Sequence, residues 1–171
     1  MKLTVEGCRT RQQRLIEILI DNTLDGAIIS RREHVYYLTG WLHNRHHAAA
    51  ALIRINGEVT LVAASSEAET AADQVIVYEA GFLSTMHNRQ HEMVAEKLAD
   101  VTSEVGLMGA DCGGGVGSLI ALAGSEAFDI TPFILFLRKK KEEDDTAPTN
   151  PSYPTTQSAS LADPLAGARA E

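Results

Sequence analysis

The chain has 171 residues, enough for one domain that buries roughly 70% of the surface its unfolded form exposes and too few for two. Hydrophobic residues make up 44% and charged residues 22%, an ordinary globular balance, while 5% aromatic content means the core must be largely aliphatic. A net charge of −8 disfavours nucleic acid and anionic membrane surfaces as partners.

The first element in chain order is an amphipathic helix over residues 9–22, where Leu15, Ile16, Leu19 and Ile20 recur among Arg, Gln and Glu. Gly26-Ala27-Ile28-Ile29-Ser30 follows as a short buried strand between charged flanks. Residues 36–40, Tyr-Tyr-Leu-Thr-Gly, read as a turn leading to a strand over 48–55. Asn56-Gly57 then separates that run from another over 58–63, predicting an antiparallel hairpin with a type I′ turn. Further on, residues 75–78 predict a strand, 90–101 a helix, 105–109 a strand, 113–117 a loop and 118–123 the start of a helix. Thr131-Pro132 places an N-cap before a proline at the first helical position, opening a terminal helix. Strands alternating with helices around one hairpin imply an α/β fold: a three-layer mixed β-sheet with flanking helices.

Past Asp145 the composition changes. Four of the five prolines (Pro148, Pro151, Pro154, Pro164) fall in 146–171 among Thr, Ser and Ala, so residues 1–145 are expected to form the domain and 146–171 a disordered tail. The basic run Arg138-Lys139-Lys140-Lys141 is followed by Glu142-Glu143-Asp144-Asp145, a pattern suited to i,i+4 pairing on a solvated helix face. Cys8 and Cys112 form neither a disulfide framework nor a metal-ligand spacing. The first residues lack a hydrophobic leader and no run approaches the roughly 18 apolar residues of a membrane span, so a cytoplasmic location without membrane contact is expected.

Histidines concentrate at His34, His43, His46 and His47. Imidazoles at close spacing suit Zn²⁺, but Asn44-Arg45 between them supply no carboxylate or thiolate and Arg45 repels a cation, so a polar interface loop is expected there. His87 and His91 share the four-residue spacing of a zincin helix, yet Asn88-Arg89-Gln90 bring no glutamate to act as base. Residues 111–118, Asp-Cys-Gly-Gly-Gly-Val-Gly-Ser, match neither phosphate-binding glycine pattern, and the chain has no G-x-S-x-G elbow.

Several of these stretches, in order, resemble the N-terminal domain of the creatinase, prolidase and aminopeptidase P family. They are Arg11-Gln12-Gln13-Arg14-Leu15, Asp25-Gly26-Ala27-Ile28-Ile29, Val35-Tyr36-Tyr37-Leu38-Thr39-Gly40, the hairpin around Gly57, and Asp129-Ile130-Thr131-Pro132 with Leu137-Arg138-Lys139-Lys140-Lys141-Glu142-Glu143. The resemblance covers about residues 9–145 and implies a creatinase-type, ribonuclease H-like fold. Family members are mostly Xaa-Pro peptidases that hydrolyse with two divalent metals (Mn, Co or Zn), held by two Asp, one His and two Glu of a C-terminal pita-bread domain. No position here matches those ligands, so no metal or other cofactor is expected in this chain, and no catalysis by it alone.

The resemblance also implies a role in subunit association, as a homo-oligomer such as a dimer or with a catalytic-domain partner, and a loop that approaches a proline-containing peptide. By position the substrate-contact candidates are Trp41, to stack on a proline ring, and His43, Arg45, His46 and His47, to hold a peptide carboxylate. Two origins fit: a truncated Xaa-Pro peptidase whose reading frame is lost near Asp145, or a free-standing α/β oligomerisation or peptide-binding domain.

Overall fold

The computed structural model describes residues 3–42, 46–66, 69–82, 85–86, 89–102, 106–111 and 127–146. Helix α1 spans Val5–Asp21, β1 Gly26–Ile29, α2 Arg32–Thr39, β2 Ala50–Arg54, β3 Val59–Ala63 and β4 Gln74–Val77. A small pair, β5 Gly81–Phe82 and β6 Thr85–Met86, precedes α3 Gln90–Thr102, β7 Met108–Ala110, β8 Phe128–Asp129 and α4 Thr131–Thr146. Six strands form one mixed sheet in the order β4-β3-β2-β1-β7-β8, in which only β2 is antiparallel to its neighbours.

Residue alternation splits the core into two faces, as a period of two demands. Ala27, Ile29, Ala51, Ile53, Val59, Leu61 and Ala63 meet Leu15, Ile16 and Leu19 of α1, Val35 and Leu38 of α2, and Ile134 and Leu137 of α4. Ile28, Ala50, Leu52, Val62, Met108 and Ala110 point the other way and meet Val94, Ala95 and Leu98 of α3. The three-layer α/β reading is borne out, and the core is aliphatic: Trp41 and Tyr78 are the fully buried aromatics among the described residues.

Helix α1 starts four residues earlier than the apolar pattern suggests, because the Thr4 hydroxyl accepts the Gly7 amide at 3.2 Å and caps the first turn. Its buried stripe is Cys8, Arg11, Gln12, Leu15, Ile16 and Leu19. Ile20, expected on that stripe, is exposed, and two polar residues occupy inward positions in its stead. At the other end Leu24 N donates to Leu19 O and Thr23 N to Ile20 O, the paired bonds of a Schellman motif, with Thr23 at φ 57° in the left-handed position.

The hairpin forms as expected but not with a type I′ turn. Arg54 N bonds to Glu58 O and Gly57 N to Arg54 O, enclosing a three-residue loop, Ile55-Asn56-Gly57, in which Gly57 alone has positive φ, at 92°. This is a type I turn closed by a left-handed glycine. The cause is Ile55, whose amide bonds to Asp25 O at the start of β1 and which therefore still belongs to the sheet's margin.

Residues 36–40 are the main correction. The stretch read as a turn is the last turn of α2, and only Gly40, at φ 73°, is a cap. The strand expected at 105–109 is β7, shifted to Met108–Ala110; β8 and the β5–β6 pair carry no periodic signal and were not expected. The terminal helix α4 forms one residue earlier than expected: Thr131 is its first residue and Pro132 its second, and Ile130 O accepts the first helical bonds. Asp129 Oδ1 accepts the Thr131 amide at 2.9 Å, and the Thr131 hydroxyl, expected as the cap, has no hydrogen-bond partner among the described residues. The loop and helix expected at 113–123, and the tail past residue 146, lie outside the described residues.

Candidate functional site

A helix of eight residues leaves its last carbonyls without intrahelical partners. In α2 two of those groups are taken by α1 and another by residues 70–71. Arg11 Nε donates to Tyr37 O at 2.7 Å, Gln12 Nε2 donates to Leu38 O at 2.9 Å and to Ala71 O at 3.1 Å, and Thr39 O accepts from Ala71 N at 2.8 Å and Thr70 Oγ1 at 3.0 Å. Gly40 N closes on Tyr36 O at 2.8 Å. The chain leaving α2 is thus held by buried bonds before the histidine loop begins.

Beyond Gly40 the candidate residues part company. Trp41 is 3% exposed and belongs to the aliphatic core, with its amide on Thr39 Oγ1 at 3.2 Å, so its indole offers no open face to a proline ring. Leu42, next in sequence, is 60% exposed. His43 and Arg45 lie outside the described residues; His46 is exposed and His47 half-buried. The loop is pinned again at its far end. Ala48 N donates to Gln90 Oε1 at 2.9 Å, and the Tyr78 hydroxyl stands 2.8 Å from both Ala48 O and Gln90 Oε1, its one proton shared between them. Burial pushes that hydroxyl up to about 12. Trp41 and Ala48, on either side of residues 43–45, are thus each held by buried hydrogen bonds, while Leu42 and His46 are exposed.

His34, grouped by sequence with this loop, belongs elsewhere. Its Nδ1 lies 3.0 Å from Asp111 Oδ2, and both side chains are buried. The same carboxylate accepts Ser30 N at 2.7 Å, Ser30 Oγ at 2.8 Å and Arg31 N at 2.9 Å. Arg31 is the N-cap residue of α2 and makes no side-chain cap bond of its own. Asp111, at the end of β7, caps the helix from another strand, where a negative charge is favoured by the aligned peptide dipoles. Because a carboxylate only accepts, the shared proton sits on His34 Nδ1. This cluster stands at the C-terminal ends of parallel β1 and β7, the usual ligand side of an α/β sheet, but its own residues satisfy it. Sequence reading missed it because 77 residues separate the partners.

His91 is exposed in the first turn of α3, while His87 and residues 112–118 lie outside the described residues. Among the described residues no group of three or more His, Cys, Asp or Glu could hold a metal ion, and no helix is long and apolar enough to cross a membrane.

A mixed six-stranded sheet with this helix arrangement and the 36–40 helix end defines a creatinase-type α/β domain. The chain belongs to the creatinase/prolidase N-terminal domain family, whose model matches residues 11–138. Solved structures agree in fold. The prolidase from Pyrococcus horikoshii OT3 aligns at TM-score 0.54 and 16% identity over 75% of this chain and 35% of its own. The creatinase/prolidase N-terminal domain of an X-Pro dipeptidase from Streptococcus pyogenes gives 0.55 and 15% over 75% of this chain and 98% of its own. An Xaa-Pro aminopeptidase structure from the same organism gives 0.53 and 16% over 79% of this chain and all of its own. At these identities the likeness is one of fold. The search of curated proteins gave no match.

Proposed function

We propose that this chain serves as the non-catalytic N-terminal domain of an Xaa-Pro aminopeptidase- or dipeptidase-like protein in the cytoplasm, associating with a second copy or a catalytic-domain partner and presenting residues 42–47 to a proline-containing peptide. One observation supports the reading: Trp41 and Ala48, the residues that bound this stretch, are each held by buried hydrogen bonds, while Leu42 and His46 are exposed. A loop held at both ends loses little entropy when it meets a ligand, which is what a residue donated to another subunit's pocket requires. His43, Arg45, His46 and His47 keep the role of holding a peptide carboxylate; Trp41 fixes the loop's root from the core rather than stacking on a proline.

Metal-dependent hydrolysis is the work of a catalytic domain with clamping carboxylates, and residues 3–146 supply no such set among those described. The pure chain, incubated with an Xaa-Pro peptide and Mn²⁺, Co²⁺ or Zn²⁺, is expected to show no turnover, and size-exclusion chromatography with light scattering to give at least twice the monomer mass. Metal-dependent turnover by the pure chain would overturn the non-catalytic reading; a strict monomer at high concentration would overturn self-association.

A further inference from the structure

The six-stranded sheet ends in two edges of different character, β8 and β4. Strand β8 is only Phe128 and Asp129, two residues of which one is charged. Short length and charge are among the devices by which native sheets keep an open edge from pairing with another chain; proline and bulges are others. Strand β4 uses none of them. Gln74-Val75-Ile76-Val77 carries no charge and no proline, and its register on β3 runs without interruption from Gln74 to Val77.

The groups that this edge leaves open can be named. Strand β4 lies parallel to β3, with Val75 opposite Leu61 and Val77 opposite Ala63. Tyr78 N donates to Ala63 O at 3.1 Å, so Ala63 turns its backbone groups toward β4, and Val77, its partner in the ladder, turns its own away. The same alternation applies to Leu61 and Val75. The amides and carbonyls of Val75 and Val77 therefore point out of the sheet, and no described strand lies beyond them. Such groups are strong donors and acceptors, and here they stand beside a Val77 side chain that is 48% exposed.

We propose that β4 pairs antiparallel with β4 of a second copy of this chain, about a two-fold axis at Ile76, with Val75 of each copy opposite Val77 of the other. The inference rests on the self-association proposed above and names the surface that performs it. Three observations select a second copy as the occupant. Antiparallel pairing makes the strand its own complement, so the outward N–H and C=O of Val75 and Val77 are all satisfied by one symmetric contact. The chain carries −8, so two copies repel over most approaches, whereas β4 itself is free of charge. The register also sets Glu79 of each copy opposite Asp73 of the other, where the Arg9 guanidinium, already 2.6 Å from Asp73, offsets the added carboxylate. Because β8 is blunted, the pairing closes at two copies and does not grow.

The test combines light scattering over a concentration series with amide hydrogen exchange on the full chain. Val77→Pro removes an outward amide and leaves the bonds between β3 and β4 in place, while Val77→Lys sets a charge on the edge. Each is expected to raise the dimer dissociation constant at least about tenfold, since the loss is repeated in both copies. Phe136→Ser, which removes a phenylalanine of α4 that is 59% exposed, should leave the constant within about twofold. In the unaltered chain, whose folding no substitution disturbs, the Val75 and Val77 amides should exchange at least about tenfold more slowly when concentrated than when dilute. A dimer of unchanged strength in both Val77 variants, exchange at these two amides that ignores concentration, or a dimer lost in Phe136→Ser would each overturn this pairing and leave self-association standing. A strict monomer would overturn both.

Discussion

Arg11 Nε donates to the carbonyl of Tyr37 at 2.7 Å, across 26 residues of sequence. The bond joins two stretches that look unrelated in the sequence, the Arg-Gln start of the first helix and the Tyr-Leu-Thr-Gly end of the second. Neither is autonomous. Val35, Tyr36 and Tyr37 are poor helix formers, and an eight-residue helix is too short to stand alone. Helix α2 is held by partners outside itself: α1 satisfies the carbonyls of Tyr37 and Leu38, and Thr70 and Ala71 that of Thr39.

Gln12 tests that dependence, since its buried amide serves both Leu38 O and Ala71 O. Replacing it with leucine keeps the volume and strands two carbonyls away from water. Gln12→Leu is expected to destabilise the domain by about 2–4 kcal/mol, at 1–3 kcal/mol per orphaned group partly relieved by the added apolar contact. Urea unfolding measures it; a change below about 0.5 kcal/mol would show that α2 needs no help from α1.

Gly40 closes the same helix at φ 73°, and a Cβ there would stand 3.3 Å from Cys8 Sγ. Gly40→Ala therefore meets both left-handed strain and a tight contact, and is expected to cost about 1–2 kcal/mol. Gly57, at φ 92° with open space around it, provides the comparison: Gly57→Ala carries the strain without the crowding, so it should cost less. Paired thermal melts of the two variants decide the order.

What the sequence made visible follows from the range of each interaction. The Ile28–Ile29 strand, the hairpin and the helices α1, α3 and α4 rest on local periodicity or local caps, and they were readable. For the terminal helix, Thr131-Pro132 marked the start within one residue, although the Thr131 hydroxyl is not the cap. Two polar positions on the buried stripe of α1 were not readable, because Arg11 and Gln12 face inward only if α2 lies there to accept their bonds. The turn reading of 36–40 failed for the same reason. Strand β8 is two residues whose sole reason to be extended is β7, 18 or more positions away. Within the candidate site, the burial of Trp41 and the placement of His34 on the Asp111 cluster depend on the folded chain and carry no local signal.

Asp111 carries the largest share of unreadable structure, accepting from Ser30 N, Ser30 Oγ, Arg31 N and His34 Nδ1 while 2% exposed. Asp111→Asn preserves the shape but turns one acceptor into an NH₂ facing donors. A loss of about 2–4 kcal/mol is expected, being several charge-assisted bonds weakened together. Asp111→Asn/His34→Ala should lose less than the sum of the two single variants, because they share one hydrogen bond. Strict additivity would mean that the ring and the carboxylate do not interact.

Thr23 offers a change in the stabilising direction. A β-branched residue at φ 57° pays the left-handed penalty that glycine avoids, and Thr23 is exposed with only a hydroxyl bond to Asn22 O to lose. Thr23→Gly keeps the Schellman bonds from Leu24 and Thr23 amides. After the extra chain entropy of glycine, a gain of about 0.5 kcal/mol in stability is expected. An unchanged or lower denaturation midpoint would remove left-handed strain from the account of this helix end.

The alkaline limb of stability reports on the loop's far anchor. Burial raises the Tyr78 hydroxyl from 10 to about 12, so the unfolded chain releases this proton first as pH rises. Below pH 10 both states hold the proton and its contribution is complete; between pH 10 and about 12 the unfolded state binds fewer protons and stability falls, by up to about 2 kcal/mol. Tyr78→Phe removes the proton and also the bonds to Ala48 O and Gln90 Oε1, so it should be less stable at pH 8 and should lose less of its remaining stability between pH 10 and 12 than the parent does. The difference between the two unfolding profiles isolates Tyr78 from the tyrosines that both proteins share. Faster amide exchange at Ala48 in Tyr78→Phe is expected alongside, since its hydrogen bond to Gln90 depends on the same cluster. Parallel profiles with unchanged exchange would mean that the hydroxyl neither titrates late nor holds the loop, and the anchored span between Thr39 and Ala48 would then have one fixed end rather than two.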